Sequence, residues 1–292
     1  MDPTRATFTS ASDAATITTY SWMTAKPPRG VVQIAHGLAE HALRYDRLAR
    51  ALTAAGYHVY ASDHRGHGRS VASEKELGSF GTGGWAGLVA DVTAFGRALR
   101  EKHPGLPLFL LGHSMGSFAS QEVMLDASDL YAGVVLSGST ALDVAAAGMA
   151  QSGGGDLSLF NAGFEHRTGY EWLSRDTAEV DKYVADPLCG FALPAHTLPQ
   201  LFSSAQRLAN PTALQGIRKE LPLLIVSGQA DPLAGNGQLV GLLAQRYREA
   251  GLTEVTLRIY PEARHEVFNE TNRDEVTALV RSWLDARTGG HT

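Results

Sequence analysis

The chain has little cysteine, no excess of positive charge and no long hydrophobic run. Its 292 residues include one cysteine, Cys189, which excludes an internal disulfide and a cysteine-based metal site. Lys and Arg number 25 against 30 Asp and Glu, a formal net charge of −5 that argues against a nucleic-acid partner. No stretch is long and apolar enough to cross a bilayer, and residues 1–15 lack the apolar core of a signal peptide. We therefore expect a cytoplasmic protein.

Short β-prone runs alternate with helical spacing along most of the chain. Hydrophobic residues make up 44% of the sequence and charged residues 19%, as in a globular protein with an ample core. Seven segments have the length and composition of strands: residues 16–23, 31–35, 58–62, 108–111, 133–136, 223–226 and 255–260. Apolar residues at helical spacing follow many of them, as over residues 238–249. This alternation predicts an α/β fold with a mostly parallel sheet covered on both faces.

One long segment interrupts the alternation. Residues 140–217 contain no clear strand, but they contain a run of glycines at 153–155 and scattered prolines. Ligands bind at the carboxyl edge of an open parallel sheet, so we expect an inserted lid of short helices and loops over that edge. The predicted domains are a core, residues 1–139 and 218–292, and a lid or cap, residues 140–217.

The pentapeptide Gly112-His113-Ser114-Met115-Gly116 lies between a predicted strand and a predicted helix. Glycine two positions on either side of Ser114 relieves crowding at a sharp strand-to-helix turn. Such a turn exposes the serine Oγ and aims the Met115 N–H at the space in front of it. The pattern predicts that Ser114 is a catalytic nucleophile; the alternative is a tight glycine turn whose serine is incidental.

A serine nucleophile needs a neutral imidazole to accept its proton and an acid to orient that imidazole. In α/β sheets of this kind the serine comes first in the chain, then the acid, then the histidine. Of the histidines after Ser114, His265 alone follows a predicted strand, so we assign it as the base, and activity should fall as pH drops through about 6.5. Asp231 directly follows another strand and is the candidate acid, whereas Asp143 and Glu262 are weaker alternatives.

The negative oxygen of a tetrahedral intermediate needs backbone donors, and the Met115 N–H is one candidate. The loop of residues 36–38 follows an earlier strand, and its central glycine lets the backbone approach closely enough for the Leu38 N–H to be the second donor. The alternative for this loop is a glycine turn with a capping histidine. His64 and His67 precede the serine, and we expect them to be structural residues that hydrogen-bond their own turn.

Five motifs occur in a fixed order along the chain. They are HGLAEH at residues 36–41, DHRGHGRS at 63–70, GHSMG at 112–116, DPLC at 186–189 and ARHE at 263–266. With them the chain, from about residue 16 to 287, resembles the monoacylglycerol lipase and lysophospholipase group of α/β-hydrolases. The resemblance implies an eight-stranded α/β-hydrolase core, a lid, the triad Ser114, Asp231 and His265, and oxyanion amides at Leu38 and Met115.

We therefore predict a serine esterase that acts on a small lipid-like ester with an apolar acyl chain, such as a monoacylglycerol. The chemistry requires no metal or organic cofactor. A peripheral membrane contact through the lid is compatible with the sequence, which does not specify an oligomeric state. The alternatives are a peptidase or amidase, an acyltransferase, and a ligand-binding homologue without turnover.

Two groups of lid residues bear on these alternatives. A peptidase would bind a substrate amine with acidic lid residues, for which the candidates are Glu165, Glu171, Asp176, Glu179 and Asp181. The apolar residues that could line an acyl pocket, most of which we expect to pack the lid itself, are Leu157, Leu159, Phe160, Phe164, Tyr170, Trp172, Phe191, Leu198, Leu201 and Phe202. Cys189 is expected to be a small buried packing residue.

Overall fold

The computed structural model of the chain describes residues 2–151 and 157–289. Its strands are β1 (Thr4–Thr9), β2 (Thr16–Trp22), β3 (Gly30–Ala35), β4 (Tyr57–Ser62), β5 (Leu108–His113), β6 (Gly133–Ser137), β7 (Leu223–Gly228) and β8 (Val255–Tyr260). They form one eight-stranded sheet in the order β1-β2-β4-β3-β5-β6-β7-β8. The first two pairings, β1 with β2 and β2 with β4, are antiparallel, and the other five are parallel.

Helices cover both faces of this sheet. They are α1 (Asp46–Ala54), α2 (Gly84–Lys102), α3 (Met115–Ala127), α4 (Leu142–Gln151), α5 (Thr177–Ala185), α6 (Thr197–Phe202), α7 (Ala205–Ala209), α8 (Pro211–Leu214), α9 (Gln238–Glu249) and α10 (Arg273–Asp285). Successive residues of a strand point to opposite faces. Leu108 and Leu110 of β5 accordingly pack with α2, α3 and α9, whereas Phe109 and Leu111 pack with α1 and α10.

The seven strands and the helix over residues 238–249 predicted from the sequence are confirmed, with boundaries shifted by at most two residues. The strand β1 was not predicted. All of its residues except Phe8 are exposed, so it lacks the apolar alternation that marks a half-buried strand. Backbone pairing with β2, from Thr4 opposite Ser21 to Thr9 opposite Thr16, holds it at the edge of the sheet.

The β6–β7 segment, defined as residues 138–222, lies between two neighbouring parallel strands. Its described residues, 138–151 and 157–222, form α4 to α8 and short 3₁₀ turns, and no strand. Within the described part of the chain, no helix combines the length and the apolar character that crossing a membrane requires.

The sheet brings the predicted site residues to one edge. The last residue of β6, Ser137, is in register with His113 of β5 and Val226 of β7, and Gly228 is in register with Tyr260 of β8. The carboxyl ends of β5, β7 and β8 therefore lie at the same edge of the sheet. The loops that carry the predicted nucleophile, acid and base begin at this edge.

Candidate active site

Ser114 occupies a strained position between β5 and α3. Its φ of 50° and ψ of −121° are unfavourable for a residue with a side chain. A Cβ on Gly116 would come within 2.1 Å of the Ala35 carbonyl oxygen, and a Cβ on Gly112 within 2.3 Å of the Ser120 Oγ. Only glycine fits at these two positions, and this is why the sharp turn that projects Ser114 from the sheet can form here.

Asp231 and His265 form a buried hydrogen-bonded pair. The Nδ1 of His265 donates to the Oδ2 of Asp231 at 2.9 Å, and their side chains are 2% and 0% exposed. The other carboxylate oxygen accepts the Leu233 N–H at 2.9 Å. Because Nδ1 carries the proton of this bond, Nε2 is the basic nitrogen of the neutral ring. That nitrogen is the one a serine hydroxyl would use as a proton acceptor.

Ser114 and His265 border the same cavity at the carboxyl edge of the sheet. The two weaker candidates for the acid lie elsewhere. Asp143 makes two hydrogen bonds to Arg246, at 2.7 and 3.0 Å. The Glu262 side chain is 84% exposed and lies 3.3 Å from Arg175. Of the three acids considered, only Asp231 contacts the histidine.

Two aromatic rings pack against His265. The ring centroid of His113 is 4.7 Å from that of His265, and the ring centroid of Trp172 is 4.8 Å away. Burial lowers the pKa of His113 well below its ordinary value, so this ring adds no charge beside the candidate base. For His265 itself burial also lowers the pKa, but the charge and hydrogen bond of Asp231 outweigh burial, and the net pKa is raised.

The two predicted oxyanion donors also border this cavity. Leu38 and Met115 are both in its wall, and neither backbone N–H donates to an acceptor in the described part of the chain. Gly37, the residue before Leu38, packs against the serine, since an added Cβ there would come within 3.2 Å of the Ser114 Cβ. Among the described residues, the Leu38 N–H of the loop after β3 and the Met115 N–H beside the serine are therefore both unpaired, as donors to a negative oxygen must be.

A buried ionic network underneath this loop was not predicted from the sequence. Glu40 accepts hydrogen bonds from the Gly37 N–H at 2.6 Å, the Tyr45 hydroxyl at 2.8 Å and Arg44 at 2.7 Å. Arg44 also makes two hydrogen bonds to Glu266, at 2.5 and 2.7 Å. Because Glu266 follows His265 in the chain, one guanidinium connects the loop carrying the candidate oxyanion donor Leu38 to the loop carrying the candidate base. The only local indication of this network in the sequence is the four-residue spacing of Glu40 and Arg44, which is typical of an ion pair on one helix face.

Apolar side chains make up most of the cavity wall. Those from outside the β6–β7 segment are Leu38, Met115, Phe118 and Leu233, and those from within it are Leu142, Met149, Phe160, Trp172, Leu173, Leu198, Leu201 and Phe202. Of the ten lid residues predicted as lining candidates, the side chain of Leu157 lies outside the described part of the structure. Five of the other nine are in the wall, namely Phe160, Trp172, Leu198, Leu201 and Phe202. Phe164 and Tyr170 instead pack around the buried Trp172, Leu173, Tyr183 and Cys189.

His36 is buried in the loop after β3, and His64 and His67 are buried in the loop after β4. The His36 Nδ1 donates to the Gly37 carbonyl oxygen at 2.7 Å, and its Nε2 accepts the His64 N–H at 2.9 Å. The His67 Nδ1 lies 3.0 Å from the Arg65 carbonyl oxygen. None of the three borders the cavity. The His36 side chain thus links the two loops, and His67 bonds its own turn as predicted, whereas the His64 Nε2 has no partner among the described residues.

Three side chains in the described residues are close enough together to hold a metal ion: His41, Asp186 and Cys189. The His41 Nε2 already bonds the Asp186 carboxylate at 2.8 Å, and this contact ties the loop after β3 to the β6–β7 segment. Burial raises the pKa of the Cys189 thiol, which opposes the thiolate form that binds metals. The cluster therefore fits a hydrogen-bonded histidine–aspartate pair next to a buried thiol better than it fits a metal site.

The acids that would bind a substrate amine in a peptidase are occupied or exposed. Glu171 accepts hydrogen bonds from Asn161 and Thr168, which outweigh burial and lower the pKa of its carboxyl to about 2. Glu165 is exposed. The other three pair with arginines: Asp176 with Arg273, Glu179 with Arg47 and Asp181 with Arg167. None of the five borders the cavity.

The chain is similar over most of its length to known hydrolases. A monoacylglycerol lipase from Mycolicibacterium smegmatis is 34% identical over 279 residues, which cover 90% of each chain. A monoglyceride lipase from Mus musculus is 30% identical over 278 residues, covering 91% of this chain and 86% of that one. Among solved structures, a thermostable carboxyl esterase from Bacillus coagulans in complex with glycerol superposes with a TM-score of 0.87 at 25% identity, covering 99% of this chain and all of that one.

The family model that matches is Hydrolase_4, described as "Serine aminopeptidase, S33", and it spans residues 26–272. That range contains β3 to β8, the strained serine, the buried histidine–aspartate pair and the loop after β3. The predicted α/β-hydrolase fold and its eight-stranded sheet are confirmed. The chain belongs to the serine aminopeptidase S33 family of α/β-hydrolases.

Proposed function

We propose that this carboxylic ester hydrolase cleaves monoacylglycerols and similar small lipid esters through an acyl-enzyme on Ser114. The observation that carries the proposal is the apolar cavity at the carboxyl edge of the sheet, bordered by Ser114 and by a buried imidazole bonded to Asp231. An apolar wall suits a fatty acyl chain. The relatives named as monoacylglycerol and monoglyceride lipases support the same substrate class.

In the first half of the proposed reaction, the Ser114 Oγ attacks the ester carbonyl carbon and the His265 Nε2 takes its proton. The Leu38 and Met115 amides stabilise the negative oxygen of the tetrahedral intermediate. When the intermediate collapses, the bond to the alcohol breaks and the imidazolium gives its proton to the departing oxygen. In the second half, water attacks the acyl-enzyme by the same route and releases the fatty acid and the free serine.

We also propose that residues 140–217 act as a lid over a core of residues 1–139 and 218–292. The β6–β7 segment contributes eight apolar residues to the cavity wall. It therefore supplies much of the surface that an acyl chain would contact. Two backbone hydrogen bonds fasten it beside the base, from the His265 N–H to the Trp172 oxygen and from the Glu266 N–H to the Leu173 oxygen.

Ester rather than peptide cleavage is favoured by the carboxylates of the cavity wall. Glu40 and Glu266 both border the cavity, but both are bonded to Arg44. A substrate ammonium would need a carboxylate with free capacity, and a buried charge without a partner is costly. The acidic residues predicted for a peptidase lie outside the wall. Among the described residues, the cavity wall thus offers a surface for an alkyl chain and no carboxylate that is not already bonded to an arginine.

The proposal is tested by active-site labelling and by a substrate series. A fluorophosphonate probe should label the folded wild type and leave Ser114→Ala unlabelled. Hydrolysis rates should be higher for monoacylglycerols and for p-nitrophenyl esters of apolar acids than for aminoacyl anilides. Highest rates on the anilides would overturn the ester assignment in favour of a peptidase, and a folded wild type that does not react with the probe would favour a ligand-binding protein without turnover.

A further inference from the structure

Besides Ser114 and the two histidines, four side chains in the cavity wall carry polar atoms. Three of them are fully hydrogen-bonded, and one is not. Both oxygens of Glu40 and of Glu266 accept hydrogen bonds, and the Tyr183 hydroxyl donates to the Ala39 carbonyl oxygen at 2.9 Å. The exception is Trp172. Its indole Nε1 is shielded from solvent and has no acceptor among the described residues. Buried N–H groups are nearly always paired, so an unpaired one on a residue that borders the cavity needs an explanation.

The residues around Trp172 hold it in a fixed position. It lies in the 3₁₀ turn Glu171–Leu173, where its backbone N–H donates to the Asn161 side chain at 2.9 Å and its carbonyl accepts the His265 N–H at 3.3 Å. The ring packs against Phe160, with 5.0 Å between the centroids, and the whole residue is 5% exposed. A donor held in this way is preorganised, because little side-chain freedom is lost when it binds an acceptor.

We propose that the Trp172 indole N–H binds a hydroxyl oxygen in the alcohol part of the substrate ester, and that it thereby selects glycerol esters over esters of simple alcohols. The inference rests on the proposed function, since it assumes ester cleavage at Ser114. It adds a specificity-determining residue at the end of the cavity where the alcohol leaves.

The position of the ring assigns it to the alcohol rather than to the acyl chain. Trp172 and His265 have their ring centroids 4.8 Å apart. His265 is the group that returns a proton to the departing alkoxide, so the alcohol lies against this imidazole when the bond breaks. A 1-monoacylglycerol carries further hydroxyl groups on the second and third carbons from that oxygen, within the reach of a neighbouring donor. A methyl ester offers none, and an acyl chain has no acceptor beyond the carbonyl.

The experiment compares Trp172→Phe with wild type on two esters of one fatty acid, the 1-monoacylglycerol and the methyl ester. Phenylalanine keeps an aromatic ring beside His265 and removes the N–H. One lost hydrogen bond predicts that kcat/KM for the monoacylglycerol falls about three- to tenfold relative to the methyl ester. Trp283→Phe is the matched control. The Trp283 Nε1 is also buried without an acceptor, but this residue packs on Phe109 away from the cavity and should leave the ratio unchanged.

A second measurement does not depend on turnover. A 1-O-alkylglycerol ether, which cannot be hydrolysed, should protect Ser114 from a fluorophosphonate probe, and about three- to tenfold more of it should be needed for Trp172→Phe. Protection by the corresponding alkyl methyl ether should be the same in both proteins. Failure of the proposed function would show in wild type alone, as no hydrolysis of either ester. The assignment of Trp172 would be overturned by an unchanged ratio and unchanged protection, or by equal losses on both esters, which would indicate that the ring only supports His265.

Discussion

At the scale of single residues, His265 is subject to opposing influences on its pKa. Burial disfavours the charged imidazolium and lowers the pKa, whereas the charge and hydrogen bond of Asp231 favour it. The second influence prevails, so the pKa is raised above its ordinary value of 6.5. The base is active when its imidazole is neutral. As the pH is lowered, activity should therefore begin to fall at a pH above the 6.5 expected from the sequence.

We predict that kcat/KM falls as pH drops through a value above 6.5, because this parameter reports the free enzyme. In Asp231→Asn the burial of the imidazole is no longer opposed by a charge, so the acid limb should move to lower pH. The maximal rate should fall by about 10⁴-fold, because the orientation of the ring is lost as well. The measurement is the pH dependence of kcat/KM for a soluble p-nitrophenyl ester. An acid limb at the same pH in both proteins would contradict the assignment of Asp231.

The residues proposed for catalysis could be selected from the sequence because local patterns mark each of them. Ser114 lies between two glycines, and Asp231 and His265 each follow a strand. The network of Glu40, Arg44 and Glu266 could not be predicted, because Arg44 and Glu266 are 222 positions apart in the chain. Charged residues are normally read as solvated, and only the folded sheet shows that these three are buried together.

At the scale of elements, Arg44 connects the loop after β3 to the loop after β8, and we predict that Arg44→Met costs about 3–5 kcal/mol of stability. The substitution leaves the Glu40 and Glu266 side chains, which are 4% and 6% exposed, without a counter-ion. Chemical denaturation with urea measures the change. Activity should fall too, since the Gly37 amide is bonded to Glu40.

Arg47→Met is the matched control for this prediction. Arg47 also pairs with a glutamate, Glu179, but its side chain is 41% exposed. Exposed pairs contribute between zero and about 1 kcal/mol, so this loss should be much smaller. Equal losses in the two variants would mean that the buried position of Arg44 does not determine its contribution.

The helices and strands that could be predicted from the sequence are those that bury an apolar stripe or run. The strand β1 was not predicted because backbone pairing, rather than apolar burial, holds it in the sheet. The direction of individual side chains in the β6–β7 segment could not be predicted either. Leu198 and Leu201 border the cavity whereas Phe164 and Tyr170 pack inside the segment, although all four are apolar or aromatic and lie in short, irregular elements. Short helices carry too few turns to define an inward face.

At the scale of the whole molecule, strand order depends on contacts between distant parts of the chain. The pairings of β3 with β5 and of β2 with β4 skip a neighbour in sequence, and hydrophobic patterns do not specify such crossovers. The alternation of strands and helices was enough to predict a parallel sheet with two covered faces. The eight-stranded arrangement was implied only by the resemblance of the motifs to a known family.

The buried histidines make the stability of the whole fold sensitive to acid. Burial lowers the pKa of His64 to about 3 and that of His67 to about 4, and it lowers the pKa of His36 well below 6.5. Below pH 6.5 the unfolded chain binds protons at these positions while the native state does not. Stability must therefore fall with decreasing pH, by about 1.4 kcal/mol per pH unit for each such histidine.

We predict that His67→Gln reduces the slope of unfolding free energy against pH between pH 6 and 5 by about 1.4 kcal/mol per pH unit, which corresponds to about one bound proton. Glutamine does not titrate, so the variant has one fewer site at which the unfolded state gains a proton. The measurement is the free energy of unfolding by urea at several pH values in that interval. The slopes are compared rather than the absolute stabilities, because the substitution also disturbs packing against Phe80 and Phe191. Carboxylates take up most of their protons at lower pH and contribute equally to both proteins. Parallel slopes for wild type and variant would show that His67 is already protonated in the folded protein, and the buried turn of histidines would then have to contain an acceptor for that charge.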